Sequence, residues 1–312
     1  MNEPVDEEFF YEERVKYFYP TRAGDVLDGR FKAIAKLGFG AGSTVWLAEN
    51  LKLGFLILQA LDYLHTEYHL IHTDIKDDNI LVTIENDSVL ADFVKSLTTN
   101  PQPRHVRTDD GRVIYLSQDD FGPLRGNRVL PALADFNQSF PGLDGNKGHL
   151  SPIQSHRYRA PEVLLGCPWS YSVDIWNFGL VNTSLFETQI VSLLGDPPET
   201  LVNRERVYRK LKLGRTIESP RGRGCETMNE YWGGPFFDEH GQVMRKDLTV
   251  RTRKLEDTVT ELAGDEKDVF LDFASSMLQW LPDKRKTAKE LLQHRFFDSL
   301  KKERERYFQS HD

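Results

Sequence analysis

Cysteine is scarce in this sequence, and long apolar runs are missing from it. Only Cys167 and Cys225 occur among 312 residues, too few for a disulfide framework or a cysteine-based zinc site. No stretch approaches the roughly eighteen apolar residues that a membrane helix needs, and the acidic, aromatic start MNEPVDEEFFYEERVKYFYP is unlike a signal peptide. We therefore expect a soluble intracellular protein, cytoplasmic or nuclear, that does not bind a membrane.

Positive charge is also in short supply. Lysine plus arginine total 40 against 48 aspartate plus glutamate, which gives a net charge of −8. Proteins that bind nucleic acid usually carry the opposite balance, so we expect no direct nucleic acid partner. An acidic surface attracts basic peptides through long-range electrostatics, although the same charge also keeps a protein soluble.

The hydrophobic pattern predicts one strand pair followed by a mainly helical body. Residues 31–50 resemble two short strands around a glycine turn, after an irregular lead-in. Apolar residues at i, i+3, i+4 and i+7 spacing between Leu53 and Leu64 predict a buried amphipathic helix. The segment SVDIWNFGLVNTSLFE is apolar on every face, as in a helix at the centre of a core.

The remaining segments are assigned from composition. Residues 95–130 and 215–250 are polar or glycine-rich and are predicted to be loops. Two amphipathic helices are predicted near residues 265–280 and 287–308.

A glycine-rich turn, Gly38, Gly40 and Gly42, lies between the two predicted strands and is followed by Val45. A dinucleotide-binding fingerprint would continue as a helix, but STVWL after these glycines favours a strand. Strand, glycine turn, strand is the geometry of a loop that covers ATP phosphates with backbone N–H groups. An ordinary glycine hairpin is the alternative interpretation.

Residues 72–79, HTDIKDDN, carry the residue types that phosphoryl transfer requires. The reaction needs a carboxylate to accept the proton of the attacking hydroxyl, a cation near the phosphate, and oxygen ligands for magnesium. Asp74, Lys76 and Asn79 meet these needs in that order. A calcium loop is excluded because Lys76 occupies position 3 of the loop, where a ligand is needed, and Asn79 replaces the glycine required at position 6. A solvated acidic loop is the remaining alternative.

Two aspartates compete as the second magnesium ligand, one in DFG at residues 120–122 and one in DFN at residues 135–137. We favour Asp135, because it follows the apolar strand VLPALA, whereas Asp120 follows polar YLSQD and precedes a proline. Asn137 stands where DFG has glycine. Asparagine tolerates left-handed backbone geometry better than most residues, so we expect Asp135 to retain its role.

Three further residues are predicted to be structural. Glu162, in the triplet APE, is expected to be buried, and an unpaired buried carboxylate is costly. Arg285 is its expected partner. Asp174, at the head of the all-apolar helix, is expected to accept hydrogen bonds from the backbone N–H groups of residues 72–79.

The glycine turn, HTDIKDDN, ADFN, APE and the Arg285 segment occur in an order that resembles a eukaryotic Ser/Thr protein kinase domain, across residues 31–297. The segments YFYPTRAGDVLDGRFKAIAKLG, STVWLA, LDYLH and QSHRYRAPEVLLG are most similar to the SR-protein kinases. The resemblance implies an α+β, protein-kinase-like fold, with a truncated β small lobe and a mainly helical large lobe.

The same resemblance implies the cofactors and the substrates. ATP would contact Gly38, Gly40, Gly42 and Val45, and Mg2+ would be held by Asn79 and Asp135, with Asp74 as proton acceptor and Lys76 beside it. The substrates would be Arg/Ser-rich basic proteins, which links the protein to the regulation of mRNA splicing, and the chain would act as a monomer.

In SR-protein kinases Thr73 stands where many kinases keep an arginine that pairs with a phosphorylated activation loop. Without that arginine, phosphorylation of the activation loop should be unnecessary.

Much of the small lobe has no counterpart. Between Gly42 and Asp74 there is room for little more than the predicted helix, whereas the missing strands, helices and hinge need roughly sixty residues. No Val-Ala-x-Lys motif follows WLAE at residues 46–49, and Lys52, the nearest lysine, opens the helix. The sequence therefore predicts an internal deletion at Asn50/Leu51.

The predicted organisation is a lead-in over 1–30, a small-lobe remnant over 31–50, and a large lobe over 51–312 with an insert at about 95–130. Two functions compete for this organisation. One is an active Ser/Thr kinase, and the other is a catalytically impaired pseudokinase or truncated isoform that acts as a binding module.

Overall fold

The computed structural model describes residues 26–27, 31–39, 44–48, 51–84, 86–116, 121, 130–143, 148–183, 194–244, 255–259, 262–298 and 300–301. Before residue 54 only the backbone is described. The chain divides into two compact units, residues 1–80 with 133–312, and residues 81–132, and each is described by itself.

The helices are α1 (Leu51–Thr66), α2 (Asp87–Thr99), α3 (Pro161–Leu164), α4 (Ser172–Thr183), α5 (Glu199–Tyr208), α6 (Met228–Tyr231), α7 (Leu255–Thr258), α8 (Gly264–Ser275) and α9 (Ala288–Leu291). The strands are β1 (Val26–Leu27), β2 (Phe31–Phe39), β3 (Thr44–Ala48), β4 (Leu70–Ile71), β5 (Ile80–Val82), β6 (Arg104–Val106), β7 (Val113–Tyr115), β8 (Pro131–Leu133), β9 (Phe140–Pro141), β10 (Ile217–Glu218) and β11 (Gly224–Cys225). None of the described helices is long and apolar enough to cross a membrane.

The N-terminal sheet of the first unit confirms the predicted strand pair. β2 and β3 are antiparallel, with Gly38 opposite Val45, and β1 adds a third strand on the other edge of β2. The sequence did not indicate β1, because two residues are too few to show a period-2 pattern. The turn that contains Gly40 and Gly42 lies outside the described residues.

The core of the first unit is built around α4. Every residue from Val173 to Leu180 is buried, as its all-round apolar sequence predicts. One apolar cluster joins it to α1, α8 and α9, and a second cluster surrounds Trp169 and Trp176. Gly179 allows close packing, because a Cβ there would lie only 2.9 Å from the Leu278 side chain.

Several predicted boundaries of the first unit are wrong. α5 was not indicated by the sequence. The region predicted as a loop at 215–250 contains the β10–β11 pair and α6. Of the helix predicted at 287–308, the described residues show the short α9, a 3-10 turn over Arg295–Phe297 and helical residues at 298 and 300–301, while residues 302–308 lie outside the described residues. The His294 side chain accepts a hydrogen bond from the Phe296 N–H, and this cap starts a new turn where the periodic pattern suggested one helix.

The second unit, residues 81–132, is more regular than its polar composition suggested. α2 begins after Asn86, whose side chain accepts a hydrogen bond from the Ser88 N–H at 2.9 Å, a standard N-terminal cap. β6 and β7 form an antiparallel hairpin in which Arg104 lies opposite Tyr115. The insert predicted at about 95–130 falls within this unit, although its first residues are the end of α2 rather than a loop.

Candidate active site

The site lies around the loop that follows β4, and Asp174 fixes that loop. β4 pairs with β9, and His72, Thr73 and Asp74 are at most 4% exposed. Asp174, in the first turn of α4, accepts the N–H groups of His72 at 2.8 Å and Thr73 at 2.7 Å. His65 Nε2 lies 2.9 Å from the same carboxylate. The predicted bonds are present, and they satisfy a fully buried carboxylate.

Asp74, Lys76 and Asn79, which the sequence assigns to phosphoryl transfer, form one hydrogen-bonded group. Asp74 Oδ2 accepts hydrogen bonds from Lys76 Nζ at 2.8 Å and from Asn79 Nδ2 at 3.0 Å. Asn79 Nδ2 also donates to the Asp74 carbonyl at 2.8 Å. A 3-10 turn over Asp77–Asn79 returns the asparagine to this position. The geometry therefore holds one face of the Asp74 carboxylate in a fixed orientation.

The charge of Lys76 is maintained by its surroundings. Its hydrogen bond to Asp74 raises the pKa of the ammonium group, burial opposes this increase, and the nearby Asp78 and Asp135 carboxylates add to it. Lys76 therefore stays protonated at neutral pH.

Asp135 is positioned by the backbone before it. After β8, the Ala134 N–H donates to the Asn79 carbonyl at 2.9 Å, and His72 Nε2 lies 3.0 Å from the Ala134 carbonyl. These bonds attach the strand end to the loop of residues 72–79. Asp120, the rejected alternative, lies outside the described residues.

The left-handed residue in this turn is Asp135, with φ 64° and ψ 66°, and not Asn137. Asn137 lies within a 3-10 turn over Phe136–Gln138, so its tolerance of left-handed geometry is not used here. Aspartate is one of the few non-glycine residues that tolerate this region, so the turn forms without a glycine.

The oxygen atoms that Asn79 and Asp135 offer at this site are suitable ligands for a magnesium ion. Both Asn79 hydrogen bonds use its amide nitrogen, which leaves Oδ1 as an acceptor, and Asp135 is exposed. Magnesium prefers oxygen ligands and is commonly held by one or two protein oxygens together with phosphates. The described residues contain no group of three or more His, Cys, Asp or Glu side chains that could hold a metal ion.

The part of the site that would face a nucleotide consists of the β2–β3 pair, and few residues separate this pair from α1. Gly38 and Val45 face each other across the β2–β3 pair, but β3 ends at Ala48 and α1 begins at Leu51. Two residues cannot form a lysine-bearing strand between them. The contacts of Gly38, Gly40, Gly42 and Val45 with ATP stay predictions.

Glu162 and Arg285 form the predicted ion pair. Nη1 and Nη2 of Arg285 each lie 2.7 Å from one oxygen of Glu162, and both side chains are 0% exposed. The guanidinium also donates to the Gln279 and Ser172 carbonyls. All polar atoms of the carboxylate are thereby paired, which a buried ion pair requires.

Sequence reasoning missed two residues, Gln154 and Tyr158, that hold the APE segment. Gln154 Oε1 accepts the Ala160 N–H at 2.8 Å, and its Nε2 donates to Asn177 of α4 at 2.9 Å. The Tyr158 hydroxyl donates to Asp77 at 2.8 Å, and burial, followed by this bond, raises the pKa of Tyr158. The sequence indicated Gln154 and Tyr158 only as members of the segment QSHRYRAPE, and it did not indicate which residues they would contact.

Comparison with known proteins agrees on one family. The protein kinase domain family model matches residues 131–297. A serine/threonine protein kinase of Aspergillus fumigatus is 26% identical over 88% of this chain and 86% of its own length. Serine/threonine-protein kinase AFC3 of Arabidopsis thaliana is 29% identical over 79% of this chain and 56% of its own length. Dual specificity protein kinase CLK1 of Mus musculus is 27% identical over 80% and 45%.

The chain thus spans only about half of the plant and mouse relatives. A crystal structure of a kinase domain aligns with 90% of this chain at 17% identity, with a TM-score of 0.47, a likeness too low to add to the sequence comparisons.

Proposed function

This chain belongs to the protein kinase family, and from that premise we propose that it transfers phosphate from ATP to serine or threonine in basic, Arg/Ser-rich proteins. The α+β kinase fold and the kinase relatives support the transfer of phosphate to serine or threonine. The substrate class is the proposal.

The observation that carries the proposal is the hydrogen-bonded group of Asp74, Lys76 and Asn79. Two donors orient Oδ2 of Asp74, and within the described residues no donor binds Oδ1. That oxygen can accept the proton of a substrate hydroxyl as the hydroxyl oxygen attacks phosphorus. Lys76, held protonated, lies beside it and can stabilise negative charge on the group being transferred.

Bound ATP would supply the phosphoryl group, and magnesium would neutralise charge on its phosphates. Asn79 Oδ1 and the Asp135 carboxylate would hold the metal. The hydrogen bonds of Ala134 with the Asn79 carbonyl and with the His72 ring keep the segments that carry these two oxygens adjacent. The protein's contribution is placement, which supplies most of the catalysis in phosphoryl transfer.

The acidic character of the chain supports a basic substrate. The net charge is −8, and Asp77 and Asp78, next to the catalytic residues, are exposed. Arginine side chains near the target serine would meet negative potential there. We further propose that the chain acts as a monomer in the cytoplasm or nucleus, where Arg/Ser-rich proteins of mRNA splicing would be its partners.

The small number of residues between β3 and α1 supports slow phosphate transfer. The alignment with the Aspergillus kinase extends over 383 residues, more than the 312 of this chain, so that relative has stretches without a counterpart here. A deletion at Asn50/Leu51 would remove the lysine that orients the α- and β-phosphates. A displacement of about 1 Å can cost on the order of a hundredfold in rate.

A peptide assay tests the substrate class. The protein is incubated with ATP and Mg2+ and with peptides of Arg-Ser, Lys-Ser or Ala-Ser repeats, and incorporated phosphate is measured. We expect the Arg-Ser peptide to be phosphorylated at least tenfold faster than the Ala-Ser peptide, by a reaction that Asp74→Asn abolishes. Equal rates on all three peptides would refute the substrate class, and phosphorylation of none would favour the binding-module alternative.

A further inference from the structure

Thr73 has a backbone conformation that a threonine rarely adopts. Its φ is 69°, in the left-handed region, where a β-branched residue is strained. Such strain costs on the order of 1–3 kcal/mol and persists only where surrounding contacts hold it. Here Asp174 accepts the N–H groups of both His72 and Thr73. The chain therefore maintains this conformation with a buried charge.

The strained backbone places the Thr73 hydroxyl against the segment after Asp135. Oγ1 donates to the Gln138 carbonyl at 2.7 Å, and Thr73 is 0% exposed. Gln138 is the last residue of the 3-10 turn that starts directly after Asp135. Among the described residues, Thr73 is the only donor to this carbonyl.

The contact completes a set that surrounds Asp135. Before Asp135, Ala134 is bonded to Asn79 and His72. Immediately after it, the Phe136 ring lies 4.8 Å from the His72 ring. The Thr73 bond fixes the far end of the turn. Beyond the turn, the chain is next held by the pairing of Phe140 with Ile71, so the Thr73 bond is the one that attaches the last residue of the turn itself among the described residues.

We propose that Thr73 is a positioning residue, whose hydroxyl holds the turn after Asp135 and so keeps the start of that turn, where Asp135 lies, attached to the segment that carries Asn79. The inference rests on the proposed function only in assigning magnesium to these two oxygens. The hydrogen bond requires no phosphate on the segment between Asp135 and Glu162, so it gives this chain a built-in means of ordering the start of that segment.

Hydrogen exchange of the nucleotide-free full chain tests the contact independently of activity. Thr73→Val keeps the shape and the β-branch but removes the hydroxyl, and Thr73→Ser keeps the hydroxyl. In Thr73→Val we expect the Ser139 amide, bonded to the Phe136 carbonyl, to exchange between about two- and tenfold faster, the range of one lost hydrogen bond. Amides in the centre of α4 should be unchanged, and Thr73→Ser should exchange like the original chain.

A second readout separates positioning from simple stability. Under the proposed function, Thr73→Val should need a severalfold higher Mg2+ concentration for half-maximal transfer, with the KM for the peptide unchanged, and Thr73→Ser should restore the Mg2+ requirement. If Thr73→Val fails to fold, Thr73→Ala is measured with the same expectations.

Unchanged exchange at Ser139 in the variant without the hydroxyl would overturn the inference. So would equal acceleration in Thr73→Ser. Absence of phosphate transfer in the original chain would refute the proposed function alone, because the exchange result would still decide the role of Thr73.

Discussion

The buried pair of Glu162 and Arg285 is the residue-scale contact on which the first prediction depends. Removal of one partner leaves a buried charge unpaired, which typically costs roughly 3–5 kcal/mol. We expect Arg285→Ala to lower the free energy of unfolding by that amount in urea titrations. Arg295→Ala is the matched control, since Arg295 is 57% exposed and should cost less than about 1 kcal/mol. Equal effects of the two substitutions would contradict the role assigned to the pair.

His294 is expected to make the fold sensitive to acid. Burial is the largest effect on this histidine and lowers the pKa of its ring, while the nearby Asp272 carboxylate partly opposes the shift. The unfolded chain, with an ordinary histidine pKa of about 6.5, then binds a proton before the folded chain does. Stability is therefore unaffected above about pH 7.5 and declines as pH falls through 6.5.

His294→Asn tests this expectation, because the asparagine side chain can also accept a hydrogen bond from the Phe296 N–H. The melting temperature of the original chain should decrease more between pH 7.5 and pH 5.5 than that of His294→Asn. An identical decrease in both proteins would show that other groups cause the acid sensitivity.

At the scale of single residues, the sequence predicted those positions whose role follows from chemistry. Asp74, Lys76, Asn79 and Asp174 were predictable because their residue types are those that bind or orient charged groups. Gln154 was not, because an amide can pair with many partners and only the fold brings it to the APE segment.

At the scale of elements, α1 shows both the use and the limit of periodicity. The helix occurs where the apolar spacing predicts it, and Ile57 and Leu61 of the predicted face are buried. Leu58 is not on that face, yet it is 0% exposed, because it lies in the cluster that α1 shares with α4, α8 and α9. A helix with neighbours on more than one side buries more than one stripe.

This packing gives a prediction for α1. We expect Leu58→Ala to destabilise the protein by about 2–5 kcal/mol, the usual cost of a large buried side chain reduced to alanine. Tyr63→Ala on the same helix is the control, since Tyr63 is 55% exposed, and it should cost less than about 1 kcal/mol. Urea unfolding of both variants measures the difference. A smaller loss for Leu58→Ala than for Tyr63→Ala would be incompatible with the packing described.

The elements that the sequence did not predict have local causes. α2 depends on the Asn86 cap, and the C-terminal break depends on the His294 cap. Both are single hydrogen bonds to backbone N–H groups. A hydrophobic period averages over a window of about a dozen residues, so it does not detect a contact of this kind.

At the scale of the whole molecule, the net charge of −8 should govern the encounter with a basic substrate. Attraction between exposed charges weakens as salt shortens the screening length, from about 10 Å at 0.1 M to about 3 Å at 1 M. We expect the KM for an Arg-Ser peptide to rise severalfold between 0.05 and 0.3 M NaCl, and kcat to change little. A KM that is independent of salt would mean that charge does not select the substrate.

The chain joins the catalytic residues proposed in the large lobe to a β2–β3 pair that ends only two residues before α1. The sequence predicted this combination from the motifs that follow Leu51 and from the lack of a lysine-bearing segment after β3. The positions of Asp74, Asn79 and Asp135 follow from hydrogen bonds between segments far apart in the chain, made by the Asp174 carboxylate and by the Ala134 backbone. Their geometry required the structure, although their identity did not.

The rate of phosphate transfer from ATP to an Arg-Ser peptide, in the original chain and in Asp74→Asn, is the most direct test of the central claim. Kinases turn over at roughly 1–100 per second, and misplaced phosphates should reduce the rate by about a hundredfold. We predict slow, Mg2+-dependent transfer that falls by a further factor of at least about a hundred in Asp74→Asn, the contribution typical of a general base. Equal rates in the two proteins, or no transfer by the original chain, would contradict the account.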